Sequence, residues 1–256
     1  MLDKARTLQR YKLSSANGEI GTVKTFYFDD QHWTIRYLVA DTGAWLAGRQ
    51  VLISPYALAG VSRERHRFVL DLTKGQIEES PCLSSEQPIS QQFEEAYHGF
   101  HGWPRYWCGP YTWGCQPHIE RDRKRWRAAT ADGSAWNRQL RTTSDVNGYY
   151  IQATDGEMGH IEDFIIDEDT WAIRYLIVST RNWWPGRRVL VSPQWIQRVN
   201  WDAGEVFVTL SGETVRQSPE YTDQLLVTRD YETRLHHHYH RQGYWFGDPD
   251  PTDQVQ

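Results

Sequence analysis

Ten histidines stand out among the residues able to do chemistry, and five positions of the run "HHHYH", His236 to His240, hold four of them. With His98, His101 and His118 they raise the prospect of a metal site, since imidazole is a good ligand for zinc or nickel. Adjacent histidines on an extended segment point to opposite sides, and on a helix only His236 and His240 would share a face. Those two are therefore the candidate ligands, and the spacing predicts neither a catalytic metal nor another cofactor. Cys82, Cys108 and Cys115 lack CxxC spacing and read as reduced thiols, not as a disulfide framework or a zinc knuckle. Ser54 and Ser192 each sit in "SP" at the end of an apolar run, without the G-x-S-x-G turn that would expose a nucleophile. Glu19 and Glu157 lie beside turn glycines, where a carboxylate is solvated, and no Gly-rich phosphate loop occurs. These residues give no expectation of an enzyme.

The elements that would position them are written twice. "IRYLVADTG" begins at Ile35 and "IRYLIVSTR" begins at Ile173. The same offset carries Gly18-Glu19 onto Gly156-Glu157, Gly21 onto Gly159, Asp29 onto Asp167, Trp33 onto Trp171 and Trp45 onto Trp183. It also carries "GRQVLISP" onto "GRRVLVSP", and far beyond these Tyr106-Trp107 onto Tyr244-Trp245. Between positions 17 and 58, 18 of 42 residues are identical to their counterparts. One offset held without a gap over so long a stretch is a duplicated domain. Each copy is long enough to close a core of its own, unlike a solenoid repeat.

Within a copy the pattern is β. "IGTVKTFYF" and "MGHIEDFII" place apolar residues on alternating positions. "IRYLVA" and "IRYLIV" are apolar on both faces save for Arg36 and Arg174, as in a strand covered on both sides. The prediction is that Ile35, Tyr37 and Val39, with Ile173, Tyr175 and Ile177, face one side of equivalent strands. Each arginine then needs an acidic or carbonyl partner, because an isolated buried charge is too costly. Pro55 and Pro193 end the next strands, and "RFVLDL" and "EVFVTL" supply another. "TKGQIEESP" and "SGETVRQSP" read as a short turn or helix closed by proline, while "SQQFEEAY" and "TRDYETRL" read as helices with a capping Ser or Thr. Asn17-Gly18 and Asp155-Gly156 mark tight turns, and Asp29 and Asp167 are expected to cap the turns that follow. Several short strands at this spacing predict a mainly β chain with two tandem small barrels, each followed by a short helix.

At these residues the chain resembles the PRC-barrel family, whose members include the barrel of the photosynthetic reaction centre H subunit and the C-terminal domain of a ribosome maturation factor. The pattern is G-E-x-G-x-V/I, an Asp turn, W-x-I-R-Y-L, a T-x-x-W tip and G-R-x-V-L-x-S-P, present in both copies. The resemblance implies a small β-barrel that docks to proteins or nucleoprotein assemblies, and it brings no catalytic residues with it.

The reading divides the chain into a first barrel at 1–98, an aromatic and basic linker at 99–139, a second barrel at 140–240 and a polar tail at 241–256. Formal charge is about −1, +4 and −8 over 1–98, 99–139 and 140–256. Arg121 to Arg127 with Trp103, Trp107 and Trp113 suggest a stacking patch for anions, but a net charge of −5 argues against nucleic acid. No apolar run approaches a membrane span and the first residues do not read as a signal peptide, so a cytoplasmic location is expected. A pseudo-twofold internal pairing of the copies is expected, in a monomer or a homodimer. The function predicted is a non-catalytic binding or assembly module for a protein or membrane-associated complex. The alternative is a metal- or small-ligand-responsive sensor using the interdomain cleft and the histidines. The candidate contact residues are Trp45, Trp183, Trp184, Arg187 and Arg188, carried on the Gly- and Pro-containing tips "TGAWLAGR" and "TRNWWPGR". Trp45 and Trp183 match across copies and are expected to fold back as lids, which leaves Trp184 as the chief docking residue.

Overall fold

A computed structural model of the chain describes residues 1–47, 49–84, 89–107, 139–180 and 187–247. In the first copy the strands are β1 (Leu2–Lys4), β2 (Lys12–Ser15), β3 (Gly18–Asp29), β4 (Thr34–Asp41), β5 (Arg49–Ile53), β6 (Leu58–Ser62), β7 (Arg67–Leu70) and β8 (Leu83–Ser84). In the second they are β9 (Leu140–Thr142), β10 (Tyr150–Ala153), β11 (Gly156–Asp167), β12 (Ile173–Ser179), β13 (Arg188–Val191), β14 (Ile196–Asn200) and β15 (Glu205–Val208). The helices are α1 (Ala5–Leu8), α2 (Lys74–Glu79), α3 (Gln91–His101), α4 (Thr143–Val146), α5 (Gly212–Arg216) and α6 (Arg229–His238).

The two copies have one topology. The path β6-β7-β2-β3-β4-β5 in one sheet is matched by β14-β15-β10-β11-β12-β13 in the other. Each sheet contains one parallel pair at the same place, Lys12 with Arg67 and Tyr150 with Glu205, which joins the β6-β7 or β14-β15 hairpin to the rest. Even the irregularities repeat: β3 carries an extra residue at Ile20 opposite Leu13/Ser14, and β11 one at Met158 opposite Ile151/Gln152. The second glycine of G-E-x-G explains itself here. A Cβ at Gly21 would lie 1.9 Å from the Asp41 carbonyl oxygen, and one at Gly159 2.0 Å from that of Ser179, so only glycine lets the neighbouring strand approach.

The chain divides into two compact units whose boundaries are not those of the repeat. Unit 1 takes in Asp3–Val146 and Phe164–Ile173, and unit 2 takes in Asn147–Asp163 and Arg174–Gln256. Unit 1 thus includes β9, which pairs antiparallel with β3 through Tyr27–Thr142 to Asp29–Leu140. Inside this unit Ile35 N–H donates to Trp171 O at 2.8 Å, and Ile173 N–H donates to Trp33 O at 2.8 Å. An isolated bridge joins Thr34 to Ala172, its own counterpart. Trp33 and Trp171 both adopt left-handed backbone (φ 54° and 62°), an unfavourable state for an aromatic residue. These carbonyl bonds, with the Trp33 N–H bond to Asp29 O at 3.0 Å, hold the turn in that state.

All of β4 except Asp41 is buried, as its double-sided apolar run requires. The expected single row of Ile35, Tyr37 and Val39 is broken, however. Tyr27 pairs with Tyr37 and Phe28 with Ile35, so Arg36 is an extra residue bulged out of β4. Tyr37 and Val39 join Leu52, Phe93 and Tyr97 in the cluster under α3, while Ile35 is engaged at Trp171.

Helix α3 begins at Ser90, whose hydroxyl accepts from Phe93 N–H at 3.2 Å, and ends at the left-handed Gly102. Helix α6 begins in the same way at Thr228. The boundaries of 98 and 240 fall short in both copies. Tyr106 and Trp107 are buried in unit 1, so the ordered first copy continues beyond α3. In unit 2 the segment to Gly247 ends in a short 3-10 turn at Tyr244–Gly247 that carries the matching Tyr-Trp pair. The supposed start of the linker and of the tail are each part of a barrel's cover. The remaining linker, with Trp113, His118 and Arg121 to Arg127, lies outside the described residues.

Candidate functional site

The most concentrated chemistry in each copy lies between the helix and its barrel. In unit 1 the Tyr37 hydroxyl on β4 is 2.8 Å from Glu94 Oε1 and 3.1 Å from His98 Nε2, both on α3. Glu94 and His98 are four residues apart and so share one helix face. Tyr106 donates to the same Glu94 oxygen at 2.6 Å, and His98 Nδ1 is 2.9 Å from the Pro104 carbonyl. Arg36 closes the far side. Its Nε donates to Asp29 Oδ2 at 2.8 Å and its guanidinium lies 4.2 Å over the Tyr106 ring. Asp29 also accepts from His32 N–H at 2.6 Å, which is the turn-capping role expected of it.

Unit 2 repeats the Tyr-Glu-His part of the arrangement and the arginine over the second tyrosine. Tyr175 lies 2.9 Å from Glu232 Oε1 and 3.0 Å from His236 Nε2. Tyr244 donates to Glu232 at 2.9 Å, and His236 Nδ1 is 3.1 Å from the Gln242 carbonyl. Arg174 lies 3.8 Å over the Tyr244 ring. One difference matters: Arg229 reaches within 3.1 Å of the second Glu232 oxygen, and its counterpart Gln91 bonds Glu95 instead.

Burial dominates the electrostatics. Loss of water pushes the Glu94 carboxyl up to about 7, in spite of the tyrosine hydroxyls that favour its charge. Burial likewise holds His98 down to about 3 and drives Tyr37 and Tyr106 well above the ordinary phenol value. Asp29 is the exception. Burial opposes its charge, but the Arg36 guanidinium and the bonds from His32 bring it down to about 2. Glu232 is raised and His236 lowered, again by burial first.

This geometry decides several sequence expectations. Arg36 has the acidic partner predicted for it, at full burial. His236 is 2% exposed with both ring nitrogens engaged, and α6 stops at His238 so that the exposed His240, at φ 51°, leaves its face. The helical face that would make them a ligand pair is not formed. Among the described residues no group of three His, Cys, Asp or Glu side chains is arranged to hold a metal. Ser54 and Ser192 are buried and accept from Tyr56 N–H and Gln194 N–H, each at 3.3 Å, so both serve as caps of a short turn. Gly18 and Gly156 open β3 and β11 as the turn motif requires.

At the tips, Trp45 folds back. Its indole donates to Glu78 at 2.6 Å and Lys74 lies 4.9 Å over its ring. Arg187 is a correction to the proposed contact set, because it donates to the carbonyls of Arg216 and Ser218. Arg49 does the same in the first copy, to Glu78 O and Ser80 O. The arginine of G-R-x-V-L is thus a staple that fastens the segment after α2 or α5. Arg188 pairs with Glu162 at 2.9 Å and Asp223 at 2.7 Å. Trp183 and Trp184 lie outside the described residues.

The model of the PRC-barrel domain matches residues 4–77 and again 140–215. The chain is a member of the PRC-barrel family. The matched ranges are the two barrels up to α2 and α5, and the covers built by α3, α6 and the Tyr-Trp pairs extend the PRC domains beyond them. No curated protein matches the chain. Among the described residues no helix is long and apolar enough to cross a membrane.

The residues that sequence reasoning missed are Glu94 and Glu232; it reads His98 and His236 only as metal candidates, and Tyr37 and Tyr175 only as strand-face residues. Their signal was present as an E-x-x-x-H pair at the shared offset, followed by Tyr-Trp.

Proposed function

We propose that this tandem PRC-barrel protein is a non-catalytic binding and assembly module that docks to a protein or membrane-associated complex from the cytoplasm. One observation carries the reading. Among the described residues, the repeated side chains with catalytic potential are spent within each copy: the carboxyl, imidazole and hydroxyls of the Glu-Tyr-His clusters bond one another between helix and barrel, and the repeated serines cap turns. Catalysis needs a nucleophile or base that a substrate can reach. These groups instead fasten α3 and α6 to their barrels, which leaves the outer surface to do the work.

The tip of the second copy is the place proposed for contact, through Trp184, with Arg188 following in the sequence. A ring next to Pro185 loses little entropy on binding, and aromatic and Arg side chains dominate interface energies. Cross-linking of wild-type and Trp184→Ala protein in lysate, read with a thermal melt, tests this. A partner retained by the wild type and lost by the variant at unchanged melting temperature is the expected result. A steep fall in melting temperature would make Trp184 a core residue and remove the site.

A further inference from the structure

The hydrogen bonds of the Glu94 cluster constrain how many protons it holds. The Pro104 carbonyl can only accept, so His98 Nδ1, 2.9 Å away, carries a hydrogen. If His98 is neutral, its Nε2 is bare and the Tyr37 hydroxyl at 3.1 Å is the donor it faces. The Tyr37 oxygen is then left to accept. Glu94 Oε1 at 2.8 Å supplies a hydrogen only when its carboxyl is protonated. The other distribution is a Glu94 carboxylate with a His98 imidazolium, and it contains the same single proton. It also places two charges in a cluster that is fully buried, which is the costlier choice. Glu94 Oε2 has no hydrogen-bond partner among the described residues, and an ionised carboxylate would leave that oxygen charged and dry.

We propose that Glu94, Tyr37 and His98 form a one-proton latch: α3 closes on its barrel with a single proton, carried by the Glu94 carboxyl, and closure weakens when that proton is lost or a second is gained. The groups facing the latch fit this charge state. From the barrel, Asp29 and Arg36 form a pair whose charges offset each other. From the segment after the helix, Tyr106 donates to Glu94, and Arg105, like His101 on the helix, disfavours a charged His98. The second copy is an internal comparison. Arg229 sits on Glu232 where the first copy has Gln91, so Glu232 gives up its proton more readily and the latch of the first copy is the tighter proton holder.

The closed latch keeps one proton between about 3 and about 7. A detached α3 would keep one only between the ordinary values of 4.5 for Glu94 and 6.5 for His98. The latch is therefore tightest in that inner window. Its opening constant should rise about threefold on going from pH 5.5 to well above 7, and about thirtyfold from pH 5.5 to well below 3.

Infrared spectroscopy of the full chain tests the proton directly. At about pH 6 the wild-type minus Glu94→Gln difference spectrum should show the carbonyl stretch of a protonated carboxylic acid. Glu168→Gln is the control, because the Glu168 carboxyl is also raised to about 7. Amide exchange of α3, corrected for intrinsic chemistry, should show the threefold rise in wild type and none in Glu94→Gln, whose amide donates to Tyr37 as the acid does. Should that variant fail to fold, nitrogen NMR of the wild-type imidazoles decides. A neutral His98 protonated on Nδ1 at about pH 6 supports the latch. A blank difference spectrum, or a charged His98 at that pH, overturns it.

Discussion

Replacing Arg36 by methionine removes a charge while keeping the aliphatic length, and its consequence can be worked from the site. Neither Arg36 nor Asp29 has any exposed side-chain surface. Without the guanidinium, Asp29 must remain buried as a carboxylate or take up a proton. Its carboxyl sits at about 2 against an ordinary 3.8, so the surroundings favour its charge by roughly 2 kcal/mol, with Arg36 the largest favourable contributor and His32 next. Loss of one partner from a buried pair costs about 3–5 kcal/mol in general, and the lost contact with the Tyr106 ring adds to it. We expect Arg36→Met to lose about 3 kcal/mol in chemical denaturation, equivalent to roughly 6–12 °C in melting temperature. Asp29→Asn should recover part of that loss in the double variant, because it removes the charge left behind. The pH dependence has a definite sign. A depressed carboxyl contributes stability above 3.8 that disappears as pH falls towards 2, so the deficit of Arg36→Met should be full at neutral pH and narrow below about pH 4. A loss under about 0.5 kcal/mol, or one that does not change with pH, would refute the argument that this pair holds the turn to the strand.

Two further substitutions probe other links. Gly21→Ala should cost more than about 4 kcal/mol or prevent soluble expression, since its Cβ would meet a backbone oxygen 1.9 Å away. Gly159→Ala should behave alike, and a near-neutral result for either in urea titration would contradict the close strand approach. Trp107→Ala should lose about 3–5 kcal/mol in the same titration because the ring is 3% exposed. An unchanged midpoint would return Trp107 to the linker.

The offset between copies was enough to read the barrels, because β-strands obey strict local rules: alternation, turn glycines and a terminating proline are all visible in a short window. Arg36 and Arg174 announced buried partners by interrupting apolar runs. The cover of each barrel was harder to read. Glu94 and Glu232 look like solvent-facing helix residues, since carboxylates are seldom buried without a partner, and the partners come from β4 or β12 and from residues beyond the helix. His236 was obscured in another way, by neighbouring histidines that suggested a metal while its own nitrogens were taken by Tyr175 and a backbone carbonyl. The bulge at Arg36 was illegible for a related reason. It answers to Tyr106 and Asp29 in space and not to the residues beside it.

That both covers use a polar cluster follows from what an apolar one could not do. Helix α3 buries Phe93 and Tyr97 against the barrel, and apolar contacts of that kind tolerate a small slide or rotation. Bonds between one carboxyl oxygen and two hydroxyls, at 2.8 and 2.6 Å, do not. A helix displaced by a single residue would carry Glu94 off Tyr37 and leave a carboxyl and an imidazole buried without partners, at about 1–3 kcal/mol for each group. The cluster thus penalises every register but one, and it ties the following Tyr-Trp segment to the same position through Glu94 or Glu232. The geometry of each cover, and with it the outer surface a partner would meet, is set by groups that never reach the solvent.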